Sequence, residues 1–153
     1  MSPTAVLGLG FAIGVVAGLR SFTAPAAVCW AAHLGWLHLE GSKLAFLGTS
    51  IAVYIASALA LVELVLDKQS WLGARTKPGP LIDRIIMGAL SGAALGSMPG
   101  AISGCVGALV GTYGGYQARH RIVANLKVPD IAVALVEDAL AVGGAVLIVS
   151  KFS

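Results

Sequence analysis

The sequence predicts an all-α membrane protein of about six short transmembrane helices, built as two inverted-topology repeats of three helices each. Three observations point there. Only 11% of the 153 residues are Asp, Glu, Lys or Arg, whereas a soluble domain carries about 25%. These charges bound long charge-free runs at 1–19, 21–39, 44–62, 85–118 and 139–150. The chain also aligns with itself, without a gap, at an offset of 74 residues.

Composition narrows the class further. Hydrophobic residues make up 58% of the chain and the mean hydropathy is +0.90. Too little charge is present to cover a soluble surface, so lipid is the natural solvent. A disordered chain, a nucleic-acid binder and an ordinary soluble enzyme are excluded on this ground. The pI of 9.1 and net charge of +3 then mean cationic cytoplasmic loops rather than DNA contacts.

The first helix is expected over 4–19. It has no Lys or Arg, so it lacks the positive start of a secretory signal peptide. Gly10, Gly14 and Gly18 recur every fourth residue and line one helix face, where backbones can approach closely. Arg20-Ser21-Phe22-Thr23-Ala24-Pro25 then reads as a helix end, a Thr cap and a proline in the next first turn. A second helix is expected over 24–39 and a third over 44–66.

The run 85–118 is too long for one span, which needs roughly 20 apolar residues. Ser97-Met98-Pro99 offers a break in its middle, which gives helices over 82–97 and 99–118. Both carry glycine ladders, Gly88 to Gly104 and Gly107 to Gly115. Close helix packing, within the chain or in a homodimer, explains the ladders better than a pore lining does. Trp30, Trp36, Trp71, Tyr113 and Tyr116 suit an interface belt. The last helix is expected over 129–150, with Asp130 at its start, where an acid suits the helix dipole.

The self-alignment makes 1–153 a single membrane domain. Repeat one covers about 4–74, repeat two about 78–150, and a linker lies at about 67–84. At the common offset Pro25 meets Pro99, and Ala60-Leu61-Val62-Glu63 meets Ala134-Leu135-Val136-Glu137. Three helices per repeat invert the second repeat relative to the first. With the 67–84 loop cytoplasmic, that side collects Arg20, Lys68, Arg75, Lys77, Arg84, Arg119, Arg121 and Lys127, against Lys43 and Lys151 outside. This obeys the positive-inside bias and leaves both termini outward.

Glu63 and Glu137 are the leading site candidates, because each lies within an apolar helix and the two are repeat-equivalent. An ionisable group in a span costs about 2.5–3.5 kcal/mol on insertion scales. Such groups mark ion paths, proton relays or buried polar locks. A structural carboxyl bonded to the partner repeat is the alternative. Asp67 and Asp138 lie beside them; Asp67 with Lys68 also reads as an interfacial ion pair. The breaks add Arg20, Thr23, Pro25, Ser97 and Pro99. A cap before proline leaves backbone N–H groups free to hold an anion, and paired interruptions in two halves point to a transport site. Tight turns at the membrane surface are the plainer reading of the same residues.

Other residues carry less. His33, His38 and His120 complete no metal spacing, and Cys29 and Cys105 read as buried free thiols. Arg75-Thr76-Lys77-Pro78-Gly79-Pro80 reads as a topology anchor and headgroup contact, since it lacks the phosphate-loop pattern. No catalytic motif is present, and no cofactor is implied.

Gly18-Leu19-Arg20-Ser21-Phe22-Thr23-Ala24-Pro25, Glu63-Leu64-Val65-Leu66-Asp67-Lys68, Arg75 to Pro80, Tyr113-Gly114-Gly115-Tyr116 and Val136-Glu137-Asp138-Ala139-Leu140 together resemble a family of small bacterial membrane proteins, domain of unknown function 4126. The resemblance covers nearly the whole chain. It implies an integral protein of the bacterial inner membrane, and no established activity or site residues. The Glu63 to Lys68 stretch is also similar to acidic helix motifs of cation/proton exchangers with three-helix repeats. Leu66 stands where those motifs carry glycine.

The expected function is a small secondary transporter or channel for an ion or proton-coupled solute, with a midplane site between the halves. A non-transporting scaffold or assembly factor packed through its glycine ladders is the alternative. The expected partners are the lipid bilayer, the small ion or solute and a second copy of the chain, with no nucleic acid.

Overall fold

A computed structural model describes residues 1–66 and 77–153, and every regular element among them is a helix. In chain order these are α1 (Pro3–Leu19), α2 (Thr23–His33), α3 (Ser50–Leu66), α4 (Pro78–Leu126) and α5 (Asp130–Val149). Short 3-10 turns lie at Ala45–Gly48 and Ser150–Phe152.

α1 starts on Ser2, whose hydroxyl accepts the Ala5 N–H at 3.2 Å. Pro3 follows at a position where a missing N–H costs nothing. α3 starts in the same way: the Thr49 hydroxyl accepts the Ala52 N–H at 3.2 Å. That cap moves the helix expected over 44–66 to Ser50, with a 3-10 turn before it. The helix expected over 24–39 stops at His33, because Gly35 takes a positive φ of 78° that only glycine adopts freely.

α4 joins two helices across a sharp break at Gly96 (φ −152°, ψ 28°) and Ser97 (φ 54°, ψ −141°). Two arms result, residues 78–95 and 98–126. They hold the helices expected over 82–97 and 99–118, each lengthened at its far end. Pro78 and Pro80 fit a helical first turn, so the turn expected at 75–80 is already helix from residue 78. Pro99 prevents the ladder from crossing the break. Ser97 at positive φ carries backbone strain of about 1–3 kcal/mol.

Glycine closes the α4 hairpin. A Cβ at Gly92 would fall on the Gly100 carbonyl, and one at Gly88 on Gly104 and Ala108. α1 lies against both arms. Gly10 meets Gly100 and Ser103, Gly14 meets Gly104, and Gly18 meets Ala108 and Gly111. Both series rise together, so α1 runs parallel to the second arm. Arg84 reaches Gly18 while Gly96 meets Val6, so the first arm is antiparallel to α1. α5 is also antiparallel to α1, since Asp138 meets Arg20 and Gly144 meets Val16. α2 and α3 form a second antiparallel pair, joined by the Trp30 indole N–H to Ser57 at 3.0 Å and by Ser21 to Glu63.

These directions give the bundle two ends. The basal end gathers Arg20, Arg84, Arg119, Glu63, Glu137 and Asp138. The distal end holds the start of α1, the break at 96–97, residues 34–49 and the end of α5. Between them the outer surface is apolar: Ile51, Tyr54, Leu61, Ile86, Ile102, Leu140 and Leu147 are all more than half exposed. Two helices, α4 and the stretch Asp130–Phe152, are long and apolar enough to cross a membrane; α1 and α3 are shorter apolar helices.

The glycine contacts yield a direct expectation. Gly14→Ala should lower unfolding stability by about 1–3 kcal/mol through overpacking. Gly143→Ala, where the new methyl meets nothing within 4 Å, should cost nothing. Denaturation in mixed micelles measures both; equal losses would show that the α1–α4 approach does not limit stability.

Candidate functional site

The site grows from the end of α1. Arg20 follows the last helical residue and has no exposed surface. A guanidinium buried among apolar helices requires an anionic partner. Asp138 of α5 supplies it: the Arg20 Nε donates to Oδ1 at 2.5 Å, and Nη2 contacts the same oxygen. The two next residues turn the chain into α2. Phe22 stands at the cap position and offers no side-chain acceptor. Glu63 of α3 takes that role: its Oε1 accepts the Ser21 N–H at 2.7 Å and its Oε2 accepts the Phe22 N–H at 2.9 Å. A carboxylate suits the positive end of a helix dipole, and here another helix donates it.

Arg84 performs the converse task. It is nearly fully buried, and its Nη1 donates to the Gly18 carbonyl, which also accepts the Thr112 hydroxyl at 3.3 Å. Cationic groups commonly hold the unsatisfied carbonyls of a helix C-terminus. Arg84 and Arg20 both lie within electrostatic reach of Glu63. Farther round the basal end, Arg119 makes two hydrogen bonds to Asp130, at 2.8 and 2.6 Å, and stands 3.7 Å from Glu137.

A pocket of about 280 Å³ opens beside this cluster. Its polar lining is Ser21, Glu63, Asp83 and Arg84, and Phe22, Leu59, Val62, Leu66 and Pro80 complete the wall. Among the described residues no group of three or more His, Cys, Asp or Glu side chains forms a metal site.

The expected site residues are only partly brought together. Arg20, Glu63 and Asp138 converge, and Glu137 lies nearby at the same end. Thr23 is the first residue of α2 rather than its cap; its buried hydroxyl finds no hydrogen-bond partner among the described residues. Pro25 sits in the first turn, as expected, and lines an adjoining apolar cavity. Ser97 and Pro99 lie at the distal end, roughly 18 Å away by helix rise between Val6 and Gly18. Asp67 and Lys68 fall outside the described residues, as do Trp71 and Arg75. A midplane pairing of Glu63 with Glu137 is not what forms: an inverted pair would occupy opposite ends, and these two share one.

Sequence reasoning missed Asp83 and misjudged Arg84. Arg84 counted as a loop cation, yet it is buried, and so is Arg20. The missed signal is Pro78 with Pro80, which starts a helix early and sets Asp83-Arg84 inside its second turn.

The chain belongs to the family described as Domain of unknown function (DUF4126). The match spans residues 7–151, from within α1 to just past the end of α5. No curated protein and no solved structure matches the chain. DUF4126 membership therefore assigns no activity, and the residues themselves must carry the functional reading.

The Arg20–Asp138 pair gives a sharp expectation. Asp138→Asn should destabilise the fold by about 3–5 kcal/mol, because it leaves a buried guanidinium without its charge partner. The double variant Arg20→Met/Asp138→Leu should recover much of that loss. A double-mutant cycle in micelles measures the coupling; additive losses would mean that the pair does not interact energetically.

Proposed function

We propose that the chain is an integral membrane protein which moves a small cation or proton-coupled solute, with Glu63 as the exchanging group. One observation carries this reading: Glu63 holds the open end of α2 while facing a pocket of about 280 Å³. An ionised Glu63 satisfies the Ser21 and Phe22 N–H groups. A proton or a bound cation neutralises it and weakens both hydrogen bonds, so site occupancy couples to the position of α2 against α3. Intramembrane carboxyls commonly mark such paths, and interrupted helices commonly flank them.

Membrane insertion is supported by the exposed apolar flanks and by the two long apolar helices. In this reading six rods, counting both arms of α4, cross in alternate directions as two inverted groups of three, in the bacterial inner membrane. The basal end, with Arg119, Arg121 and Lys127, is cytoplasmic by the positive-inside bias.

A second reading, a non-transporting scaffold, draws on a different observation: the Arg20–Asp138 pair and the glycine contacts already join the helices tightly. In that case Glu63 is a structural cap alone, and the outer face meets a partner or a second copy.

Two measurements test these readings. Protein reconstituted in liposomes with an internal pH dye should respond to an imposed cation or proton gradient. Glu63→Gln should abolish the response with the fold retained, and Glu137→Gln should leave much of it. Undiminished flux from Glu63→Gln would remove Glu63 from the mechanism, and an inert wild type would favour the scaffold. Topology is checked separately in a Cys29→Ala/Cys105→Ala background. An impermeant thiol reagent applied outside cells should label Ser42→Cys and spare Asn125→Cys; the reverse pattern would invert the orientation.

A further inference from the structure

The Glu63 pocket adjoins a second cavity of about 330 Å³, with Phe22 and Leu59 in both walls. This second space is lined almost wholly by apolar groups, among them Pro25, Cys29, Ile55, Met87 and Leu90. Together the two form one groove between α2, α3 and the first arm of α4, polar at its basal end and greasy above. From Glu63 to Ile51, α3 rises roughly 18 Å, which accommodates a medium-length alkyl chain.

The polar end has a definite charge preference. Asp83 lines it and makes no hydrogen bond or ion pair among the described residues. Glu63 faces the same space. Arg84 lines the same pocket and donates from Nη1 to the Gly18 carbonyl, so two acids stand against one cation in the lining. A carboxylate beside Leu59, Leu66 and Pro80 favours a positive group that replaces lost water.

We propose that this groove binds a single-chain amphiphile with a protonated amine head. The ammonium sits against Asp83 and Glu63, and the alkyl chain lies along the apolar cavity toward Ile51. An anionic head meets two acids against the single guanidinium of Arg84, and a neutral head leaves Asp83 unpaired. The inference takes the Glu63 pocket as a ligand site, in line with the function proposed above, and names the class of cation.

The test uses the full chain in phosphatidylcholine nanodiscs and equilibrium binding of radiolabelled dodecylamine, with empty nanodiscs as the blank. Saturable binding of about one molecule per chain is expected, at least tenfold tighter than for dodecanol or dodecyl sulfate. Asp83→Asn should weaken it about tenfold. Leu90→Trp and Ile55→Trp, on different helices, should each fill the cavity and remove binding. Equal affinity for the three amphiphiles would overturn the proposal, and so would an unchanged affinity in Asp83→Asn or binding no greater than in empty nanodiscs. Binding is read without flux, so a chain that binds the amine yet moves nothing overturns only the transport reading.

Discussion

Arg20 sits where α1 ends, with no contact with solvent, and among the described residues no other fully buried side chain is as large. Burying such a group without an ionic partner costs several kcal/mol. Its position therefore constrains everything around it. α5 must bring Asp138 to the basal end. The chain must turn at once into α2, and the two N–H groups exposed by that turn need an acceptor, which fixes the end of α3 through Glu63. Arg84 closes the other side by holding the Gly18 carbonyl in the last turn of α1. Three helices that are remote in sequence are thus placed by one short segment, Gly18 to Phe22.

Glycine contacts and charges divide the labour spatially. Along α1 and α4 the backbones touch so closely that no side chain fits between them. That part of the bundle is solid and leaves no room for a passenger. α3 is different: Val53 is its one fully buried residue, and the rest of it faces outward or borders the two cavities. The helix that carries Glu63 is therefore the least enclosed of the long ones. A change in Glu63's charge acts on an element with few packing contacts to resist it, which is what a coupled motion requires.

The helical class, the limits of α1 and the break near Pro99 were all legible in the sequence, because each depends on local chemistry: charge-free length, a serine cap, a proline. The convergence of Arg20, Glu63 and Asp138 was legible only as a set of candidates. Arg20 and Asp138 lie 118 residues apart, and nothing local to either names the other. Arg84 was misread because a cation beside an apolar run is usually a headgroup anchor; its burial depends on Gly18 arriving from α1. The offset of 74 residues pairs Pro25, in the first turn of α2, with Pro99, just past the break in α4. It did not carry the glutamates: Glu63 lies near the end of α3, whereas Glu137 lies in the first half of α5. Both therefore reach the basal end, Glu63 beside α2 and Glu137 beside Arg119.

The distal end has no counterpart of the buried Arg20–Asp138 pair among the described residues. α2 has 11 residues and rises about 16 Å, roughly half a hydrocarbon core of about 30 Å. Residues 34–49 follow it with irregular backbone and one 3-10 turn. At membrane depth such backbone is tolerated only when its polar groups are met within the protein. Here they largely are: Trp36 and Leu37 donate to the Ala31 carbonyl, the Ser42 hydroxyl bonds Leu39, and the Thr49 hydroxyl bonds Phe46. Leu37 and Leu47 bury against the core, and Phe46 with Leu47 closes the top of the apolar cavity. A charged group held at Glu63 and Asp83 thus meets no carboxylate or guanidinium along the lining above it, and whatever enters the groove must leave its charge at the basal end and present only hydrocarbon to the rest.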